Sequence, residues 1–433
     1  MAIRGGYGIF FEYGNGNEAN AESLEGTPPR VLTTSQPLIS NGPNSSKSCV
    51  SPNTGYECIG GASALFPLAV NNEPPANIAT VARWPYVQQW HLDIQRELPS
   101  HIVGTISYVG SKGTHLTDAR DLNQLKSLAA QGIANPYGPG QPLTQSDCNN
   151  GTANGVTPAL GSPLFANFST ACGNDPNPFR PFLGLSTLEL LETEANSHYH
   201  ALQATVRRAF GGLELNMAYT YSHSIDNSSD RADATFVDSF NLNANKASSN
   251  FDERHILNIS YVYDLPFFNK SSGLKKTLLG GWQWSGITSS QSGVPINIIN
   301  TVFGDNAGVG NGVGTGSRPD LSGNPHAAPC TTSSAPGPLL FNPCAFVAPQ
   351  GLTFGNVGRN TLNRPYHTNF NMGLFKSFPI KESTSVEFRW ETYNTFNHTQ
   401  FNHVRRSFGS SDFLTATDTH DPRIMQFALK FIF

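Results

Sequence analysis

Arg423-Ile-Met-Gln-Phe-Ala-Leu-Lys-Phe-Ile-Phe433 is the stretch around which the chain is organised. Met425, Phe427, Leu429, Phe431 and Phe433 fall on every second position, with Gln426, Ala428 and Lys430 between them and Ile432 as the exception. A strand has a period of two, so the five large apolar groups share one face. A stripe this apolar, ending on an aromatic residue, needs cover from a folded core or from lipid around a barrel.

Composition narrows that choice. Charged residues make up 13% of the 433 positions, against roughly 25% in ordinary soluble domains. Apolar residues are only 38%, while Gly (41) and Pro (30) are abundant, the vocabulary of turns and long polar loops. A net charge of −4 with no basic run argues against a nucleic-acid partner. No window approaches 18 consecutive apolar residues, which excludes helical membrane spans.

Further strands appear along the chain at 2–13, 84–98, 101–111, 196–210, 213–222, 254–264, 281–293, 366–378 and 384–396, with 294–300 continuing the seventh. The clearest is 213–222, where Leu213, Leu215, Met217, Tyr219 and Tyr221 alternate with Glu214, Asn216, Ala218, Thr220 and Ser222. Connections alternate between short (98–100, 211–212, 265–280, 379–383) and long (14–83, 112–195, 224–250, 301–365, 397–420). A soluble sandwich has no reason for that rhythm. A transmembrane barrel has one, with short periplasmic turns on one side and long loops outside. Tyr and Trp near strand ends (Trp84, Tyr108, Tyr221, Tyr263, Trp282, Tyr366) suit interface girdles. The fold expected is therefore all-β: part of an antiparallel transmembrane β-barrel, about ten long strands in a single domain spanning 1–433.

Six cysteines fall in the long loops as Cys49/Cys58, Cys148/Cys172 and Cys330/Cys344. Each pair sits within one Gly/Pro/Asn-rich segment, where a local disulfide stabilises a loop with little core of its own. Cys-x-x-Cys zinc spacing is absent. The first residues, Met1-Ala-Ile-Arg-Gly-Gly-Tyr-Gly-Ile-Phe-Phe11, lack the apolar run of a secretory signal and look like a strand already under way. The expectation is a fragment whose front end lies elsewhere.

Ten ordered motifs resemble one family. They are Arg4-Gly-Gly-Tyr-Gly-Ile-Phe-Phe11, Trp84-Pro-Tyr-Val-Gln-Gln-Trp90, Tyr108-Val-Gly-Ser-Lys-Gly-Thr-His115, Asn196-Ser-His-Tyr-His-Ala-Leu-Gln203 and Tyr219-Thr-Tyr-Ser-His-Ser224. Asp252-Glu-Arg-His-Ile-Leu-Asn258, Gly281-Trp-Gln-Trp-Ser-Gly286, Gln291-Ser-Gly-Val-Pro295, Gly358-Arg-Asn360 and Glu391-Thr-Tyr-Asn-Thr-Phe-Asn397 follow. Together they resemble the C-terminal barrel half of Oar-like TonB-dependent outer-membrane receptors, abundant in Acidobacteria. The resemblance implies a 22-stranded barrel closed by an N-terminal plug that contacts TonB. It implies outer-membrane lipid around the barrel, an extracellular ligand of unknown identity and no cofactor. It also implies that Phe433 and its alternating partners are read by the barrel insertion machinery. On this resemblance the signal, plug and earlier strands are expected to lie outside this sequence.

Candidate chemistry is sparse. His198-Tyr-His200 places two imidazoles on one strand face without a third ligand. Asp252, Arg254 and His255 precede a strand and are expected to form a charged network at the extracellular rim. Glu387, Arg389 and Glu391 share one face as a lumen ladder. Gly308 to Gly316 lacks the phosphate-loop pattern, and neither a nucleophile elbow nor His-Glu-x-x-His is present. An enzyme is not expected. Three functions remain in view: import of a bulky nutrient, a surface barrel that binds polymers or cells through its loops, and a secreted β-rich carbohydrate-active enzyme.

Overall fold

The computed structural model describes residues 1–11, 83–182, 189–230, 238–310, 316–330, 337–381 and 383–433. Ten long strands run antiparallel, each paired with the next. They are β1 (Ala2–Phe11), β2 (Tyr86–Leu98), β3 (Ile102–Asp121), β4 (Glu189–Phe210), β5 (Leu213–Asp226), β6 (His255–Asp264), β7 (Trp282–Gln291), β8 (His367–Lys381), β9 (Thr384–Tyr393) and β10 (Ile424–Ile432). Among the described residues β1 and β10 do not pair with each other.

The register carries the period of two across the whole sheet. Phe427 faces Trp390, then Leu374, Trp284, Tyr263, Leu213 and Phe210 on successive strands. Ile3, Ile94, Ile106, Ala204, Tyr219 and Leu257 form a second such row. The opposite face carries Gln95, Thr105, Thr205, Ala218, Asn258 and Ser289 in line. Directly opposed residues of antiparallel strands share a face, so the phase is kept from strand to strand; exceptions of type remain, with Ile287 and Phe375 on the polar side and Lys376 on the apolar one. Among the described residues much of the apolar side is left open: Ile106, Phe427 and Leu429 are 58%, 66% and 74% exposed.

Aromatic rings border that side at two levels. Towards the long loops, Tyr221 and Tyr366 lie within 5.0 Å and 6.3 Å of the His255 ring, and Trp90 and Tyr108 flank His200. Trp90 packs where β3 has Gly110, since a Cβ there would overlap the indole. Towards the short turns, Tyr261 meets Trp284, Trp282 meets Phe388, and Trp390 stacks on Phe427. From His255 to Tyr263 the strand is about 26 Å long at ~3.3 Å per residue, which at a tilt of about 40° covers roughly 20 Å of the apolar band of an outer-membrane barrel. Trp84 precedes β2 rather than belonging to a strand.

Turn chemistry explains the tight ends. Gly211 and Gly212 adopt φ of 67° and 78°, the pair of positive values that matches strand twist in a two-residue hairpin. Ser100 and His101 do the same after Pro99, at φ of 65° and 56°.

Three expectations need correction. β3 runs ten residues past Ser111, to Asp121, and β4 begins at Glu189, not Asn196, because 114–121 and 189–195 pair above the barrel band. β7 stops at Gln291: Pro295–Ile296 pairs instead with Leu362–Asn363, and Ile299–Asn300 with Ser407–Phe408. The connection 265–280 contains a helix, α3 (Gly273–Leu279), after α1 (Gln145–Asn150) and α2 (Pro163–Ala171) in the second long loop.

The face assignment yields a paired test. Ile106→Arg should destabilise the protein by about 2–4 kcal/mol in lipid vesicles, whereas Thr105→Arg should cost under about 1 kcal/mol. Urea unfolding in vesicles measures both, and equal effects would refute the assignment.

Candidate functional site

The buried core of this molecule lies outside the barrel wall. Among the described buried apolar residues only Ala119, Ala195 and Ala201 belong to the long strands. The others are in the loops, and the clusters join different loops. Ile296, Phe346 and Leu362 of the fourth long loop (292–366) pack with Val404, Phe413 and Leu414 of the fifth (394–423). Leu128, Tyr137, Leu143 and Phe168 of the second pack with Leu352 of the fourth, and Leu125 packs with Ala307 and Val309.

Local sequence makes these loops fold. Thr144 caps α1 through a reciprocal box with Asp147, and Ser162 caps α2 ahead of Pro163. Cys148 and Cys172, on or just after those helices, are joined by a disulfide, and Cys330 is joined to Cys344. Cys49 and Cys58 lie outside the described residues.

Two buried ion pairs fix the layer to the strand extensions. Arg180 donates to Asp121 at the end of β3 at 3.2 Å, with side chains 4% and 0% exposed. Arg359 donates to Asp226 at the end of β5 at 2.8 Å, with side chains 0% and 3% exposed. Arg359 also donates to Asn245 O at 3.0 Å and Ser229 Oγ at 2.6 Å, while Asn360 donates to Ser248 O at 2.7 Å. Gly358-Arg-Asn360 thus fastens the fourth loop to the third. Residue types alone gave this motif no such role, since its partners are over a hundred positions away in sequence.

Asp252 and Arg254 form a network that includes His223, a residue with no sequence signal for it. Asp252 accepts from Arg254 Nε at 2.7 Å and from Ser224 N at 2.7 Å. Its Oδ2 lies 3.1 Å from His223 Nδ1, and Arg254 lies 3.1 Å from His223 Nε2. His255 is separate. Its side chain is on the apolar face, 2.8 Å from the Tyr219 hydroxyl. His200 likewise meets Tyr108 at 2.8 Å, and no group of three metal-ligating side chains occurs among the described residues.

A cavity of about 740 Å³ is lined from β3 to β9 by residues that include Arg207, Glu214, Asn216, Ser260, Asn371 and Glu391. Arg389 donates to Glu391 at 2.8 Å, lies 3.9 Å from Glu387 and stacks over Phe375. The three charges form one ladder on the polar face.

Asp118, in the outer extension of β3 beyond the membrane band, sits opposite Glu192. Burial, then the Glu192 carboxylate, pushes Asp118 up to about 7. Burial pushes Asp305 in the fourth loop up to about 6, although it accepts from Gly310 N at 2.6 Å. A carboxyl whose pKa is raised on folding binds a proton that the unfolded chain releases, so stability falls as pH rises between the two values. The loop layer should therefore loosen between about pH 4 and 7. Asp118→Asn should flatten that dependence and add about 2 kcal/mol at pH 8, read by amide exchange over 118–130. Arg359→Ala should cost the layer about 3–5 kcal/mol by leaving Asp226 buried and unpaired. Exchange should then rise through 238–250 and 343–363 while the β6–β7 amides stay unchanged.

A comparison with curated proteins returns no match. Among solved structures the chain is similar to the outer membrane transporter YddB from Escherichia coli, at 8% identity and a TM-score of 0.37, covering 82% of this chain and 34% of that one. It is also similar to the pyoverdine outer membrane receptor FpvA from Pseudomonas aeruginosa PAO1, at 10% identity and a TM-score of 0.34, covering 82% and 30%. The chain spans about a third of the length of these structures. The model of the outer membrane beta barrel domain matches residues 1–426. With its exposed apolar face and aromatic borders, the chain belongs to that family and is an outer-membrane protein.

Proposed function

We propose that the chain is the C-terminal strand set and surface-loop layer of an Oar-like, TonB-dependent receptor that imports a bulky nutrient. The observation that carries this reading is the continuity of loop layer and wall. A disulfide-clipped loop layer joins the long-loop ends of strands whose inner side lines a cavity of about 740 Å³. A loop layer held by disulfides and shared cores binds with little loss of conformational freedom, and the cavity along the inner face gives the cargo a path. Earlier strands, pairing with β1 and β10, complete the wall. A plug fills the lumen against the Glu387–Arg389–Glu391 ladder, and TonB acts through the plug. Met425, Phe427, Leu429, Phe431 and Phe433 serve as the insertion signal.

The test is metabolite depletion by the native host. Strains lacking either the full-length protein or the inner-membrane TonB should fail to deplete the same compounds from medium. Depletion that ignores TonB would overturn the import reading. Cell or polymer binding lost with the protein, without any uptake defect, would favour a surface-adhesion role instead. Deleting Phe433 should reduce the surface-exposed full-length protein, as measured by labelling intact cells.

A further inference from the structure

The short-turn side of the wall carries one feature that neither barrel closure nor transport requires. Between β6 and β7, residues 265–281 contain Lys270, Lys275 and Lys276 and no acidic residue. All three lysines are exposed, and none forms an ion pair among the described residues. The same segment exposes Phe267 at 62%, Leu274 at 78% and Leu278 at 57%. Leu274 and Leu278 are four apart and therefore share one face of α3. A seven-residue helix does not hold itself together in water, and a large apolar face next to lysines has no reason to remain open to it.

Its attachment shows which way the segment lies. The Trp282 indole donates to Leu278 O at 3.1 Å, so the end of α3 is tied to a side chain of the apolar, lipid-contacting face. Lys376, opposite Trp282 in the register, donates to Gly280 O and lies over the Trp282 and Phe378 rings at 5.4 Å and 5.1 Å. Asn269 Oδ1 accepts from Gly281 N at 2.8 Å and closes the segment on itself. These contacts hold α3 against the outer rim of the wall, continuous with the aromatic border formed by Trp282, Trp284 and Phe388.

We propose that residues 265–281 form an in-plane membrane foot. Phe267, Leu274 and Leu278 enter the periplasmic phospholipid leaflet, and Lys270, Lys275 and Lys276 engage its anionic headgroups. Amphipathic segments bind membranes by this combination of buried apolar area and attraction to acidic lipid. The proposal rests on the outer-membrane placement of the wall and its orientation, and is independent of what the protein carries.

The test is amide exchange of the full-length protein in vesicles of phosphatidylcholine alone or mixed with phosphatidylglycerol. Exchange over 274–280 should be about tenfold slower with phosphatidylglycerol present, since each lysine near an acidic surface adds several-fold to binding. K270Q/K275Q/K276Q should abolish the difference between the two vesicles, and L274S/L278S should raise exchange in both. Protection of the β6 and β7 amides reports that each variant has inserted. Equal exchange of 274–280 in the two vesicles, or a triple-lysine variant that behaves as the parent, would overturn the proposal.

Discussion

The structure depends on one constraint: a strand turns over every two residues, and the register between strands must keep that phase. A slip by one position at any pairing would carry every later apolar side chain to the polar side. Across ten strands the phase holds, from Ile3 in β1 to Phe427 in β10. Hydrogen bonding between strands satisfies the backbone groups that lipid cannot. The apolar surface left over is what holds the wall in a membrane. Stability of the wall therefore comes from backbone pairing and lipid, while the loops carry a protein core in the ordinary sense.

That division explains what could be read from the residues. Alternation, turn chemistry and the long–short rhythm depend on neighbours in sequence, and they located all ten strands. Gly211-Gly212 marked its turn because only positive φ joins those strands, and the glycine pair supplies it without strain. The pairs Cys148/Cys172 and Cys330/Cys344 were legible because each closes a local loop. The extension of β3 to Asp121 was not legible, since Thr114 to Asp121 has no apolar alternation and pairs only because β4 rises beside it. Nor was the course of 294–300, whose partners lie at 362–363 and 407–408.

The site was legible only in part, for the same reason. Asp252 and Arg254 are near neighbours, and their contact follows from spacing. His223 joins them through the register of β5 and the turn before β6, and no local pattern announces it. Arg359 and Asp226 are 133 positions apart, and the only hint of their union was that an arginine stood in a polar loop without a nearby acid. His255 shows the opposite error. Adjacent to Arg254 in sequence, it turns to the other face and joins Tyr219 and Tyr221, because period two separates neighbours as surely as it unites alternate residues.

The loops share their cores, and this limits how such a protein can diversify. Leu352 fills a space built by Leu128 and Phe168, and Val404 and Leu414 fill one built by Ile296 and Leu362. A recombination event that replaced one long loop would bring half of a core into contact with an unrelated half. New specificities at this surface are therefore expected to arise by exchanging the second, fourth and fifth loops as one inherited block, or by substitutions on their outward skin that leave the shared interior intact.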